Sequence, residues 1–189
     1  MKSWSGRRAA IVSLCWLSGA GCEQHADKAQ HSRSDAVSST SQEMSGPSFF
    51  SRERLAPALE ALRAKTGGKL LRLEIRAREL TLQAQDANAP GAVVELHYRD
   101  GKLGEPERAT LRGKGQLADN LFDLSEVKLD AIPELTQLAL QRIDPDAGRV
   151  DYVLVRRNLP DTDDVRLRVY VSSPRQSGFV DADRNGQLL

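Results

Sequence analysis

The sequence predicts an α+β domain, in which helices are packed on one face of an antiparallel sheet. Two helical stretches, about 75 residues apart, share the pattern Pro-x-Leu-x-x-Leu, as Pro57-Ala58-Leu59-Glu60-Ala61-Leu62 and Pro133-Glu134-Leu135-Thr136-Gln137-Leu138. Each is followed by runs alternating between apolar and polar residues, the period-2 signature of strands with one buried face. Both halves reach an Asp-Gly or Asn-Gly hairpin signal, in Arg99-Asp100-Gly101-Lys102-Leu103 and Arg184-Asn185-Gly186-Gln187-Leu188. Together these imply two helix-then-three-strand repeats, about 48–115 and 116–189, arising by duplication.

In the first half Leu55, Leu59 and Leu62 form one apolar stripe, and Gly67-Gly68 stops the helix. Pro57 is expected in or near the first turn, where its missing N–H costs little. Leu71, Leu73 and Ile75 then alternate with Arg72, Glu74 and Arg76. Leu80, Leu82 and Ala84 follow in the opposite phase, placing a bulge or tight turn near Arg78-Glu79. A third strand runs from Ala92 to Tyr98, and a fourth is suggested near Arg108 to Arg112. In the second half Asp130 is the expected N-cap of a helix whose Ile132, Leu135, Ala139 and Ile143 share a face. Asp144-Pro145-Asp146-Ala147-Gly148 ends it. Strands are expected at Val150 to Arg156, Val165 to Val171 and Gly178 to Asp183.

The segment before this domain is of a different kind. Lys2, Arg7 and Arg8 precede the apolar run Ala9 to Leu17, too short to span a bilayer and typical of a cleaved export signal. The run Leu17-Ser18-Gly19-Ala20-Gly21-Cys22 resembles the lipobox of bacterial lipoproteins, with Gly19 where the family usually carries a branched apolar residue. The resemblance implies acylation of Cys22 and a membrane-anchored, periplasm-facing protein. Glu23 in place of Asp after Cys22 then implies sorting to the outer rather than the inner membrane. The alternative is ordinary cleavage after Ala20, releasing a soluble secreted protein that starts at Gly21.

Of the two cysteines, Cys15 lies in the signal, so a processed chain keeps only Cys22 and has no intramolecular disulfide. The expected organisation is therefore a signal over 1–21, a disordered tether over 22–47 and the duplicated domain over 48–189. The tether is rich in Ser, Gln, Asp and Ala and cannot bury enough surface to offset chain entropy. As a flexible coil of about 25 residues it spans roughly 25–30 Å. The whole chain carries 27 Lys and Arg against 26 Asp and Glu, and loss of the three basic signal residues leaves 24 against 26. Near neutrality argues against nucleic acid and against wholesale binding to anionic surfaces.

In outline the helix-then-strands repeats resemble PepSY-like periplasmic modules. That resemblance implies a binding or inhibitory module in the envelope, with no catalytic residues or cofactor to carry over.

Within the domain, the sharpest surface feature is basic. Arg72, Arg76, Arg166 and Arg168 alternate with the apolar strand residues, and Arg78, Arg156, Arg157 and Arg175 lie at strand ends. Gathered on one wet face, the four strand arginines form a candidate binding face for an acidic protein or an anionic envelope polymer. The competing reading is a solvated face whose arginines keep edges from aggregating, with Glu74, Glu95 and Asp151 diluting the field. Asp161, Asp163 and Asp164 offer the alternative of a periplasmic hydrolase using paired carboxylates, against a plain Pro-Asp turn. Asp181-Ala182-Asp183-Arg184-Asn185-Gly186 matches the start of a calcium loop, but Arg184 intrudes and the corresponding first-half turn carries no such carboxylates. It reads as a hairpin tip, and no metal site is assigned. His97 has no cysteine or serine elbow to serve, so it reads as a structural strand residue.

Overall fold

A computed structural model describes residues 47–66, 69–111 and 115–189. The predicted signal, Cys22, the predicted tether up to residue 46, Gly67-Gly68 and the stretch 112–114 lie outside the described residues.

Leucines at helical spacing produce α1 (Arg52–Thr66), which buries Leu55, Ala58, Leu59 and Leu62. The Ser51 carbonyl accepts the Leu55 N–H and begins the turn ladder. Pro57 falls inside the helix, just past its first turn. Strand β1 (Lys69–Ile75) pairs with β2 (Glu79–Asp86), and the Arg76 N–H to Glu79 carbonyl bond closes the tight turn expected near Arg78-Glu79. The bulge is instead in β1, between Leu70 and Arg72. It makes Leu71 the extra residue and turns Leu70, not Leu71, into the core with Leu73 and Ile75.

Strand β3 (Ala89–Arg99) is longer than predicted and passes through a two-residue turn into β4 (Lys102–Leu103). Asp100 and Gly101 both have positive φ there, 51° and 77°, the backbone twist that two-residue hairpins demand. The expected fourth strand is β5 (Glu107–Ala109), against β3. A connection not foreseen follows, with α2 (Leu117–Asn120), β6 (Phe122–Asp123) and two 3₁₀ turns. Here Asp123 and Glu126 form a capping box, and Phe122 is fully buried beside β1.

Helix α3 (Ile132–Ile143) buries Ile132, Leu135, Thr136 and Ala139. Asp130 is not its N-cap, because the preceding 3₁₀ turn Leu129–Ala131 runs straight into the helix; Asp130 lies in that turn and faces Arg52 at 3.9 Å. The helix ends at Asp144, whose carboxylate accepts the Asp146 and Ala147 N–H groups. Strands β7 (Arg149–Arg157), β8 (Val165–Ser172) and β9 (Ser177–Ala182) complete the sheet.

The strand order is β4-β3-β2-β1-β7-β8-β9, every pairing is antiparallel, and β5 and β6 join through β3 and β1. The fold class is thus α+β. One set of alternating side chains, including Leu73, Leu82, Leu96, Val155, Leu167 and Val180, merges with the buried residues of α1 and α3 into one core cluster. The other set stands on the opposite face of each strand.

Candidate functional site

The face opposite the core is built by register. Because Arg156 pairs with Arg166 and Leu73 with Val155, the row nearest one end of the strands is Arg72, Arg156 and Arg166. The next row is fixed directly, Glu74 to Leu154 to Arg168 to Asp181. In the third, Tyr152 pairs with Tyr170 and Tyr170 with Phe179, with the Arg76 guanidinium 4.7 Å from the Tyr152 ring centroid. All four predicted binding arginines are therefore on one face, and the structure adds Arg156 to them.

Their charges are not equally free. Glu74 receives both Arg72 and Arg76, the latter through Nε at 2.7 Å. Arg168 makes a two-pronged bond to Asp181, Nε to Oδ1 at 2.6 Å and a terminal nitrogen to Oδ2 at 2.8 Å. That carboxylate raises the Arg168 pKa above its already high ordinary value, against the opposing effect of burial. Arg166 reaches Asp181 only at 4.0 Å, and its Nε is buried with no hydrogen-bond partner among the described residues. Arg156 is exposed and has no carboxylate partner among the described residues. Leu154 lies buried between these arginines, shielded by their aliphatic stems.

The aromatic row was not foreseen, although each of β7, β8 and β9 carries one aromatic in its polar phase, and that coincidence was the available signal. Tyr152 and Tyr170 stack at 4.4 Å with 26° between planes, and Tyr170 and Phe179 are 6.0 Å apart and tilted. Arg168 sits 4.1 Å from the centroid of Phe179, which is 50% exposed. The ring faces are thus largely occupied by neighbours and by guanidinium groups, so the row acts as a stiff wall beside the arginines. Burial, then Tyr170, raises the Tyr152 pKa above its ordinary value.

Towards β2 and β3 the same face changes sign. His97 Nδ1 lies 2.8 Å from Glu79 and its Nε2 lies 3.2 Å from Glu95, while Arg99 also binds Glu79 at 2.6 Å. Burial pushes the Glu79 carboxyl up, but the bonds from Arg99 and His97 outweigh it and leave the carboxyl below the usual range.

The other candidates are engaged separately. Asp163 binds Arg157 at 2.9 Å, Asp164 faces Arg184 at 4.0 Å, and of the three only Asp163 lines the shallow hollow beside Ala118, Asp119 and Leu159. In the calcium-like stretch, Asp181 is held by Arg168, and Asp183 accepts the N–H groups of Asn185 and Gln187 as a turn does. Among the described residues no group of three or more acidic, His or Cys side chains is placed to hold a metal, and no helix is long and apolar enough to cross a membrane. Arg157 and Arg175 are tied into the scaffold instead, Arg157 to the Leu121 carbonyl and Arg175 to Asp144 at 2.7 Å.

Compared with known proteins, the chain matches no family model, no curated protein and no solved structure.

Proposed function

We propose that this protein is a lipid-anchored binding module of a bacterial envelope, acylated at Cys22 and sorted to the outer membrane, that presents its arginine-bearing sheet face to an anionic partner in the periplasm. The single observation that carries the binding reading is the charge count on that face. Among the described residues Arg72, Arg76, Arg166 and Arg168 meet only Glu74 and Asp181 as ion-pair partners, and Arg156 adds a further cation. An open, half-exposed sheet face with surplus guanidinium suits an extended anionic chain better than a small substrate, which needs a deep concave site. Asp163 and Asp164 are engaged by different arginines, which gives a hydrolase nothing comparable.

The finer architecture belongs to the same reading. The half with α1 and β1 to β3 and the half with α3 and β7 to β9 are duplicates, packed with both helices on one face. In support, the two three-stranded meanders meet at the antiparallel β1 and β7 seam and run outward from it in mirrored order. The two hairpin turns differ, however: only Gly186 has positive φ in the second, whereas Asp100 and Gly101 share it in the first.

Intact mass of the mature protein tests the anchor. A diacylated or triacylated N-terminal Cys22 is expected, and an unmodified start at Gly21 would refute it. Retention of the purified full chain on isolated envelope fragments tests the binding. Retention that falls steeply with added salt is expected, because half-exposed charges are screened within about 10 Å at 0.1 M; salt-independent retention contradicts it.

A further inference from the structure

The geometry points to a phosphoryl-binding subsite at the Arg72, Arg156 and Arg166 row, with Arg156 and Arg166 as its clamp. The inference rests on the anionic-partner reading and names the ligand chemistry of that face.

Arg156 and Arg166 are directly opposed across β7 and β8. Directly opposed side chains have Cβ atoms about 5 Å apart, and like charges there are destabilising. Elsewhere on the face every arginine next to another has a carboxylate within 2.8 Å, Glu74 for Arg76 and Asp181 for Arg168. Among the described residues the Arg156 and Arg166 pair has none. Asp181 is already gripped on both oxygens by Arg168, so it serves Arg166 only at 4.0 Å. The Arg166 Nε is buried without a hydrogen-bond partner among the described residues, and a donor left unbonded in a folded protein calls for an acceptor.

An acceptor seated between the two guanidinium groups relieves the repulsion and, once the Arg166 side chain turns its buried Nε outward, supplies that bond. The two guanidinium groups stand on paired positions, with Arg72, itself bound to Glu74, beside them in the row, and present more positive charge than a single carboxylate neutralises. A phosphate monoester, with close to two negative charges and three terminal oxygens, matches the charge and the fork geometry. Arg168, Leu154 and Asn158 border the same depression. Arg168 is locked by Asp181 and by Phe179, so it forms a rigid side of the site rather than a further clamp.

The test is a titration of the full chain, in a non-ionic detergent free of phosphate, with inorganic phosphate followed by the guanidinium Nε–H resonances. Saturable shifts confined to Arg156 and Arg166, with smaller ones at Arg72, are expected, and sodium acetate at the same ionic strength should produce none. Arg156→Gln, which alters an exposed side chain, and Arg166→Lys should each weaken the titration about tenfold, while Arg142→Gln on α3 leaves it unchanged. Equal response to acetate, or phosphate shifts that survive in both clamp variants, would overturn the subsite. Competition by glucose 1-phosphate assigns the phosphoryl group to a soluble ester. Retention on phosphatidylcholine vesicles containing phosphatidic acid assigns it to a lipid head group, and either result upholds the subsite. Should phosphate fail while the double reversal Arg156→Glu, Arg166→Glu still abolishes retention on envelope fragments, the phosphoryl subsite is wrong and the anionic face stands. If retention is also unaffected, both fall together.

Discussion

Gly186 and Gly101 have almost the same backbone, φ of 80° and 77°, in turns that matched in sequence, yet their surroundings differ completely. A Cβ added at Gly101 meets nothing within 4 Å, whereas one at Gly186 would lie 2.5 Å from the Ala131 Cβ. Ala131 closes the 3₁₀ turn that leads into α3, and the Lys128 N–H to Arg184 carbonyl bond of 2.8 Å holds this turn against the Gly186 loop. Gly101→Ala therefore incurs only the left-handed backbone penalty, about 1–2 kcal/mol, partly offset by a stiffer unfolded chain. Gly186→Ala incurs the same penalty plus an overpacking cost of about 1–3 kcal/mol, since neither backbone nor a methyl on a helix entry can swing aside. Urea unfolding at equal m-value should thus show Gly186→Ala less stable than Gly101→Ala by about 1–3 kcal/mol. Adding Ala131→Gly to Gly186→Ala should recover most of that difference in a double-mutant cycle. Equal destabilisation of the two glycine variants, or no coupling to Ala131, would refute the docking of the C-terminal turn on the α3 entry.

Three further outcomes follow from the same packing. The Arg175 guanidinium, then the Ser173 side chain and the Ala147 N–H, hold the Asp144 carboxyl well below the usual carboxylate range. A depressed folded-state pKa gives stability that is complete above the ordinary Asp value of about 4 and is lost as pH falls through the folded value. Thermal melts should therefore separate wild type from Asp144→Asn at pH 7, with the gap narrowing progressively as pH falls below about 4; a gap independent of pH contradicts the ion pair. Leu73 is fully buried on the central strand, so Leu73→Ala should cost about 2–5 kcal/mol in urea unfolding, and a loss under 1 kcal/mol would show that the β1 and β7 seam is not in the core. Arg168→Gln should cost stability as well as binding, because it leaves the half-buried Asp181 without its two-pronged partner, whereas Arg156→Gln should leave the melting temperature within a degree or two of wild type.

The strand phases were legible wherever alternation was clean, as in Val165 to Val171, and they set Arg72, Arg76, Arg166 and Arg168 opposite the apolar residues, while the pairing of β1 with β7 is what brings the four onto one face. They were misread at Leu70-Leu71, where two adjacent leucines hide a bulge that only the pairing to Ala84 and Gln83 reveals. The Asp130 cap was a reasonable inference from residue type, but a 3₁₀ turn before the helix satisfied the same backbone by another route. The charge pairing was illegible for a different reason. Glu74 between two arginines on one strand is visible locally, but the Arg168 to Asp181 bond joins two strands, and its existence depends on register. The same applies to the aromatic row, since Tyr152, Tyr170 and Phe179 become neighbours only when three strands pair. Register likewise separates the arginines that hold the sheet from Arg156 and Arg166, which are left over.

That residual pair makes the anionic-face account most directly testable by one comparison. Retention of the full chain on isolated envelope fragments is measured for wild type, for Arg156→Glu with Arg166→Glu, and for Arg142→Glu with Lys65→Glu as a charge-matched change on the helices, with each variant first shown to melt cooperatively. The account predicts that reversal at the sheet face abolishes retention while the helix variant behaves as wild type at every salt concentration. Retention unchanged by the face reversal, or lost equally with the helix variant, would contradict it.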